Sequence, residues 1–244
     1  MTEEVKKLLN VIKESNNIVF FGGAGVSVES GIPDFRSANG LYNDKSYRTY
    51  APEEILSHSF FLDHTDLFYK FYKEKMIYQD ALPNDCHKAL KVLEDMGKLK
   101  AIVTQNIDNL HTLAGSKVVY ELHGSVMRNT CMKCGKKYTL DDVMVFNGVP
   151  KCSCGGIIKP DVVLYEEGLD YNTLQNSLNA ISNCEVLIIG GTSLAVYPAS
   201  GLINYFRGKT LVIINKSRTI YDGRADILIE DSIGKVFKEI MENL

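Results

Sequence analysis

Four of the six cysteines in this 244-residue sequence lie close together, at a spacing that can hold a metal ion. Cys131 and Cys134 form a C-x2-C pair, and Cys152 and Cys154 form a tighter C-x-C pair. Glycines at 135, 155 and 156 permit the sharp turns that let the thiolates converge. Four thiolates suit a closed, tetrahedral, structural zinc site, whereas free thiols or a redox pair are the alternative. The other two cysteines, Cys86 and Cys184, lie in apolar stretches and are expected to be buried packing residues.

The overall charge and hydropathy indicate the cellular compartment, and the compartment determines whether the thiols stay reduced. The net charge is −3 and the pI about 6.0, so no broad basic field is available for nucleic acid or an anionic membrane. No apolar run approaches the roughly 18 residues of a membrane span, and the N-terminal MTEEVKKLLNVIKESN lacks the features of a signal peptide. We therefore expect a cytoplasmic monomer that binds neither nucleic acid nor membrane. Thiols stay reduced in the cytoplasm, which favours zinc over disulfides.

A glycine-rich loop follows the first apolar strand, in the sequence GGAGVSVESGIPDFRS at 22–37. Such a loop can bring backbone amides close to a pyrophosphate. Gly23 and Gly25 fit the dinucleotide fingerprint, but the third glycine is at 31 and not at 28, so a tight turn remains the alternative. Asp34-Phe35-Arg36 then puts an acid, an aromatic ring and a base together, which could cover a planar ligand or form a surface ion pair.

Two further polar clusters end apolar strands. TQNIDNLH at 104–111 places Gln105, Asn106 and Asp108 where ligands bind in open α/β sheets, and these groups suit an amide and sugar hydroxyls. The ELHG stretch places His123 at the end of another strand. A histidine there can act as a general base because its pKa is near neutrality, although a satisfied structural histidine is the alternative.

The elements that must position these residues alternate between apolar, β-branched runs and helical patterns. Strands are predicted at 17–21, 100–104, 117–122, 185–190, 210–215 and 226–230, and helices at 2–15, 84–96, 171–183, 199–207 and 232–243. Asn84 and Asp231 are the predicted N-caps of two of the helices. The alternation predicts an α/β fold with a Rossmann-like, doubly wound parallel sheet.

Two segments interrupt the alternation and predict a second, smaller domain. Residues 38–83 form an aromatic helical insertion, and residues 124–160 form a zinc-ribbon module. The remaining stretches, 1–37, 84–123 and 161–244, would make up the discontinuous Rossmann-like domain.

Taken together and in this order, the motifs resemble those of the sirtuins, which are NAD-dependent protein-lysine deacylases. The resemblance extends along nearly the whole chain through GAGVSVESGIPDFRS, TQNIDNLH, LHG, the four cysteines, KPDVVLYEE, GTSLAVYPA and IIN. It implies an active site in the cleft between the two domains, with NAD as co-substrate and one structural zinc. The reaction that it implies transfers the acyl group of lysine to ADP-ribose, with free lysine, nicotinamide and O-acetyl-ADP-ribose as products.

The resemblance also implies residue roles. His123 would be the general base and Asn106 a second catalytic residue, while Asp108 would accept a hydrogen bond from the nicotinamide carboxamide. An acetylated protein or peptide would bind as an extended strand between VVLYEE and SLAVYP, with Val163, Tyr165 and Val196 in contact with it. The implied NAD contacts are Ala24, Gly25, Val28, Asp34, Phe35, Arg36, Gln105, Asn106, Ile107, Asp108, Gly191, Thr192, Ser193, Asn215 and Ile233.

One departure from the family pattern bears on the peptide, because Tyr165-Glu166 stands where Phe-Gly is common. The acyl group is expected to be neutral, since no arginine lies between Arg48 and Arg128 to pair with an acidic acyl group. Longer alkyl chains are expected to be tolerated in an apolar tunnel. The aromatic residues of 68–72, Tyr69 and Tyr72 among them, are expected to bound the lysine tunnel, with Lys70 and Lys73 facing solvent. Mono-ADP-ribosyl transfer and a non-catalytic zinc-ribbon binding module are the alternative functions.

Overall fold

A computed structural model describes residues 1–35, 40 and 50–244 of the chain. Its strands are β1 (Ile18–Gly22), β2 (Leu99–Thr104), β3 (Val119–Glu121), β4 (Gly124–Cys131), β5 (Lys137–Thr139), β6 (Ile158–Val162), β7 (Val186–Gly190), β8 (Thr210–Ile214) and β9 (Ile227–Ile229). Its helices are α1 (Glu3–Glu14), α2 (Pro52–Ile55), α3 (His58–Asp63), α4 (Thr65–Lys75), α5 (Asp85–Asp95), α6 (Leu110–Leu113), α7 (Leu140–Met144), α8 (Tyr171–Asn183) and α9 (Ile233–Met241).

The larger sheet has the strand order β3-β2-β1-β7-β8-β9, and every neighbouring pair is parallel. All five residues of β1 are buried, because helices cover both faces of the sheet. Ile18 and Phe20 face a core shared with α1, α5 and α9, whereas Val19 and Phe21 face a core shared with α8 and residues 199–205. The predicted doubly wound fold and its six strands are confirmed, and the strand order reverses direction between β1 and β7.

The helix boundaries agree with the sequence patterns at most ends. Asn84 caps α5 as predicted, since its side chain accepts from the Cys86 amide at 3.0 Å. The predicted cap Asp231 is wrong by one residue: α9 begins after Ser232, and Asp231 accepts from the Ser232 amide instead. The 199–207 helix is a 3₁₀ helix over Ala199–Tyr205, whose three-residue repeat buries Ala199 and Leu202 together. None of the described helices is long and apolar enough to cross a membrane.

The two insertions pack against each other around a shared core. The smaller sheet is antiparallel, with the order β5-β4-β6, and its side chains pack against the aromatic residues of α3 and α4. Phe61 and Phe68 contact each other edge to face within this core, which also contains Val126 and Ile158. Strand β6 runs across the boundary predicted at 160/161. Residues 36–39 and 41–49 of the predicted loop and insertion lie outside the described residues.

Candidate functional site

A cleft of about 1040 Å³ lies at the carboxyl ends of β1 and β7. This is the point where the strand order reverses, which is where open α/β sheets bind ligands. Residues of both sheets and of the helical insertion line it. Arg36 lies outside the described residues, and every other predicted NAD, catalytic or substrate residue lines this cleft: Ala24, Gly25, Val28, Asp34, Phe35, Gln105, Asn106, Ile107, Asp108, His123, Val163, Tyr165, Gly191, Thr192, Ser193, Val196, Asn215 and Ile233.

The floor of the cleft is formed by two glycine turns that touch. The Gly25 amide donates to the Gly191 carbonyl at 2.7 Å. A Cβ on Gly25 would lie 2.7 Å from the Gly191 Cα atom, and a Cβ on Gly191 would lie 2.4 Å from the Val26 nitrogen. Gly191 also has a φ of +60°. These glycines therefore allow the turns after β1 and β7 to meet, and the Gly25 amide is used inside the protein rather than on a ligand.

A serine that the sequence reasoning did not single out joins the glycine loop to the TQNID segment. Ser27 is fully buried, and its hydroxyl donates to Asp108 Oδ2 at 2.6 Å. The Ser27 Oγ in turn accepts from Asn106 Nδ2 at 3.0 Å. Asp108 Oδ1 accepts from the Leu110 amide at 2.9 Å. The sequence signal for this contact was only a short polar side chain near a strand end. Ser27 and Asp108 are 81 residues apart, so that signal does not pair them.

Burial and hydrogen bonds act in opposite directions on the Asp108 carboxylate. Burial raises the pKa of Asp108, and the Ser27 hydroxyl, the Leu110 amide and Asn106 lower it in part. The carboxylate keeps accepting capacity beyond these bonds, because each of its oxygens has two lone pairs. It can therefore accept a further donor, such as a carboxamide NH2, inside the cleft.

His123 is positioned with a defined tautomer. Its Nδ1 lies 2.9 Å from the Gln105 carbonyl oxygen. A carbonyl only accepts, so Nδ1 carries the proton in the neutral ring and Nε2 keeps a lone pair. Burial lowers the pKa of His123, and the bond to the Gln105 carbonyl opposes this in part. The imidazole is therefore neutral at physiological pH and can take a proton through Nε2, as a general base must.

The fit of a polar ligand can be tested on the side chain of Gln105. Its Nε2 is buried and has no acceptor among the described residues, while its Oε1 is 3.5 Å from Thr192 Oγ1. A buried donor without a partner is costly, and a ribose hydroxyl in the cleft would satisfy it. The residues present thus fit a nucleotide such as NAD.

Asn215 lines the cleft and also makes hydrogen bonds within the protein. Its Oδ1 accepts from the Thr192 amide and its Nδ2 donates to the Thr192 carbonyl, both at 3.0 Å. Both polar atoms of the side chain therefore hold the turn after β7, because a side-chain amide can pair with a peptide group in this way. Asn215 would contact an adenosine ribose through the lone pair that remains on its Oδ1.

The structure shows which main-chain groups of the two predicted pairing segments already have partners within the protein. The Val163 amide donates to the His123 carbonyl at 2.9 Å. Tyr165 is paired with the insertion: its amide donates to the Leu56 carbonyl, and its carbonyl accepts from the His58 amide. On the other side, residues 193–198 form bends and turns instead of a strand. The main chain of Tyr165 is therefore not available to pair with a peptide.

The aromatic residues predicted to bound the lysine tunnel are in the core instead. Tyr69 and Tyr72 are fully buried, and the Tyr69 hydroxyl donates to the Ile158 carbonyl. The prediction that Lys73 faces solvent is wrong, because its ammonium donates to the Phe146 carbonyl at 2.6 Å and the Gly148 carbonyl at 3.1 Å. Lys70 is exposed, as predicted. Residues 75–79 form this part of the cleft wall instead. Sequence reasoning missed them because the local pattern of α4 does not show that its aromatic face packs into the core.

The four cysteines form one cluster at the end of the smaller sheet. Their sulfur atoms all lie within 4.8 Å of one another, with Cys131–Cys154 at 3.5 Å and Cys134–Cys152 at 3.6 Å. Tetrahedral zinc with Zn–S bonds of about 2.3 Å requires sulfurs roughly 3.8 Å apart, so the donor set fits zinc. The Cys154 amide and the Tyr138 hydroxyl lower the pKa of Cys152 to about 5, which favours the thiolate ligand.

Cys86 and Cys184 are buried and unbridged, as predicted for packing residues. The other four cysteines are those of the cluster, and none of them lines the cleft. The cluster offers four sulfur ligands and no oxygen or nitrogen ligand. Such a closed set is typical of structural zinc rather than catalytic zinc.

Comparison with known proteins yields consistent matches. The sequence model of the Sir2 family matches residues 23–198. The chain is 61% identical over 244 residues to a protein of Clostridium perfringens named NAD-dependent protein deacetylase, covering 99% of this chain and all of that protein. A protein of the same name from Clostridium acetobutylicum is 59% identical over 243 residues, covering 99% of both chains.

Solved structures agree with the sequence matches. A structure described as Sir2 with a p53 peptide and NAD+ superposes with a TM-score of 0.87 at 36% identity, covering 100% of this chain and 98% of that one. A structure described as Sir2Tm bound to a propionylated peptide has a TM-score of 0.87 at 36% identity, with 98% of each chain covered.

Proposed function

The chain belongs to the Sir2 family, and we propose that its cleft carries out NAD-dependent deacetylation of lysine side chains in proteins. The activity of its full-length relatives, named NAD-dependent protein deacetylases, supports this assignment. The observation that carries it is the meeting of three groups in one cleft: the glycine turns, the Ser27–Asp108 pair and His123 with a free Nε2. Bound NAD would supply an anomeric carbon with nicotinamide as leaving group and ribose hydroxyls beside it.

His123 acts as the general base of the reaction. The Gln105 carbonyl fixes the proton on Nδ1 and orients the ring, so that Nε2 can take a proton from a ribose hydroxyl. Burial keeps the pKa of His123 low, and the base is therefore unprotonated at pH 7.

The nicotinamide end of NAD lies against the TQNID segment in this proposal. Asp108 accepts from the carboxamide NH2, and Ile107 supplies an apolar wall. Ser27 donates to the Asp108 carboxylate, and Asn106 donates to Ser27, so the two residues orient the acceptor before the ligand arrives. Gln105 donates through its unsatisfied Nε2 to a ribose hydroxyl.

The other end of NAD lies over the glycine turns. Gly25 and Gly191 let the turns after β1 and β7 meet beneath the pyrophosphate, and Thr192 and Ser193 offer hydroxyls beside it. Asn215 holds the Thr192 turn in place. The flanking contacts in this proposal are Ala24, Val28, Asp34, Phe35, Arg36 and Ile233.

Acetylated peptide binds along the wall formed by residues 163–166, with Val163, Tyr165 and Val196 in contact with it. The Val163 carbonyl has no donor among the described residues, so it can accept from the acyl-lysine amide. Solved structures described as Sir2Tm bound to a propionylated peptide and Sir2 bound to acetylated peptide support a peptide as the substrate. Tolerance of longer neutral acyl groups, a monomeric state and cytoplasmic location remain predictions.

One zinc ion held by Cys131, Cys134, Cys152 and Cys154 has a structural role. Two of these residues, Cys131 and Cys152, are buried within the core that the zinc module shares with the helical insertion. Metal binding there stabilises the fold of the smaller domain, because the free energy of binding adds to that of folding.

Mass spectrometry of an acetyl-lysine peptide tests the function. Incubation with protein and NAD should remove the acetyl group and produce O-acetyl-ADP-ribose, and omission of NAD should leave the peptide unchanged. His123→Ala should lower the rate by about 100-fold or more, the usual size of a general-base contribution. The matched variant His64→Ala, which changes an exposed histidine outside the cleft, should retain activity. Addition of ADP-ribose to the peptide without loss of acetyl would indicate mono-ADP-ribosyl transfer instead.

A further inference from the structure

The segment that forms the substrate wall is attached to the helical insertion at three consecutive residues. Tyr165 pairs through its backbone with Leu56 and His58, at 2.9 and 3.0 Å. Glu166 and Glu167 make the other two attachments through their carboxylates. The wall is therefore not a free loop, and its position depends on residues 56–59.

Glu167 forms the inner attachment. Its Oε1 lies 2.7 Å from His58 Nδ1, and its carboxylate is 3.1 Å from the Lys159 ammonium. It also accepts from the Leu164 amide at 2.9 Å. His58 belongs to the insertion, Lys159 to β6 and Leu164 to the wall, so the Glu167 carboxylate is engaged within the protein and closes the turn.

Glu166 forms the outer attachment in an unusual backbone conformation. Its φ is +76°, in the left-handed region that a residue with a Cβ rarely adopts. Its Oε2 accepts from the Ser59 amide at 2.9 Å, and its Oε1 accepts from the Ser59 hydroxyl at 3.0 Å. Both carboxylate oxygens thus bind one residue, at the start of α3. This two-point bond, the Glu166–Ser59 clasp, opposes the conformational cost of the left-handed backbone.

The left-handed turn at 166 leaves part of the main chain without an internal partner. The amide and carbonyl of Glu166 and the carbonyl of Val163 form no hydrogen bond within the part of the chain that the structure describes. Both residues line the cleft beside His123. These three groups are therefore the ones on this wall that can pair with the main chain of a bound peptide.

We propose that Glu166 is a positioning residue for the acylated peptide: its side chain is used on Ser59, and the clasp holds residue 166 in the left-handed conformation that presents its main chain to the substrate. This inference rests on the proposed deacetylase function. It means that the carboxylate affects peptide binding through the backbone and not through its charge. Peptides with basic, neutral or acidic flanking residues should then depend on Glu166 to the same extent.

The test measures binding of fluorescein-labelled acetyl-lysine peptides by anisotropy, without NAD. Three peptides carry arginine, alanine or glutamate beside the acetyl-lysine. Glu166→Ala removes the clasp but keeps the cost of the left-handed backbone, and it should raise Kd about tenfold for all three peptides. Glu166→Gly removes both and should raise Kd about threefold, because glycine adopts this conformation freely but without restraint.

Two further variants isolate the clasp. Glu166→Gln keeps an oxygen that can accept from the Ser59 amide, and it should bind all three peptides within about threefold of wild type. Ser59→Ala combined with Glu166→Ala should weaken binding by less than the product of the single effects, since both remove one interaction. Glu54→Ala, on an exposed carboxylate of α2 with no bond to the wall among the described residues, is the matched control and should bind normally.

Affinity for ADP-ribose should stay within about twofold in every variant, which separates a local effect from unfolding. A loss in Glu166→Ala that is large for the arginine peptide and reversed for the glutamate peptide would overturn the proposal in favour of direct charge recognition. Unchanged binding in Glu166→Ala would overturn it as well. Wild-type protein that neither binds nor deacetylates the peptides would instead overturn the deacetylase function.

Discussion

Replacement of Ser27 by alanine should destabilise the protein and impair catalysis together. The hydroxyl is fully buried and serves two groups, because it donates to Asp108 and accepts from Asn106. In Ser27→Ala the Asn106 Nδ2 loses its acceptor and Asp108 Oδ2 loses its short donor. Each buried group left without a partner costs about 1–3 kcal/mol. Asp108 keeps the Leu110 amide, so the combined loss should be about 3 kcal/mol.

A loss of this size is measurable in a chain of this length. It corresponds to a fall in Tm of roughly 6–12 °C for a protein of 150–250 residues. Urea unfolding at pH 7, followed by circular dichroism, gives the free energy of unfolding directly. Deacetylation at saturating NAD should fall roughly 10- to 100-fold, because the Asp108 carboxylate is no longer held in place. The pKa of Asp108 should also rise, since the Ser27 hydroxyl lowers it.

The control is Ser182→Ala, which removes an exposed hydroxyl that bonds only within its own helix. That variant should unfold within about 0.5 kcal/mol of wild type. Equal stability of Ser27→Ala and Ser182→Ala would refute the reasoning, because it would mean that the buried bonds contribute nothing net. A stability loss without a catalytic loss would show that Ser27 does not act through Asp108.

Three more predictions follow from the buried and metal-ligating groups. Burial lowers the pKa of His87 to about 4, so between about pH 6.5 and 4 the unfolded chain binds a proton that the folded chain does not. The free energy of unfolding, measured with urea, should therefore fall by about 2 kcal/mol between pH 7 and pH 5. A His87→Gln variant that keeps the full pH dependence would contradict this prediction. Removal of zinc with a strong chelator, verified by elemental analysis at one zinc per chain, should abolish the cooperative unfolding of the smaller domain; intact unfolding of metal-free protein would argue against a structural site. Asp108→Asn should weaken nicotinamide inhibition about tenfold while peptide affinity stays unchanged, since the amide can present a donor where a carboxylate only accepts; unaltered inhibition would argue against the nicotinamide pocket.

The sequence alone determined the architecture and the chemistry of the two sites. Six short β-branched runs alternating with amphipathic helices were sufficient for the parallel sheet, because burial on both faces leaves a local pattern in each strand. The cysteine spacing was sufficient for the zinc ligands, since C-x2-C and C-x-C turns bring thiolates together without distant help. His123 and the TQNID residues were identifiable because the carboxyl ends of parallel strands meet at one edge.

The tertiary structure alone decided which polar atoms are used and which remain available. Ser27 was not identified because its partners are 81 residues away, and nothing local indicates that contact. Asn215 lines the cleft, and only the structure shows that its side chain also holds the Thr192 turn. Tyr69 and Tyr72 looked like tunnel walls but fill the core, because a helical pattern gives the apolar face of a helix without its partner. The wall at 163–167 is likewise defined by residues 56–59, which lie about a hundred positions earlier in the chain. Local patterns record burial and backbone period, whereas a hydrogen bond between distant side chains depends on the final packing of every element between them.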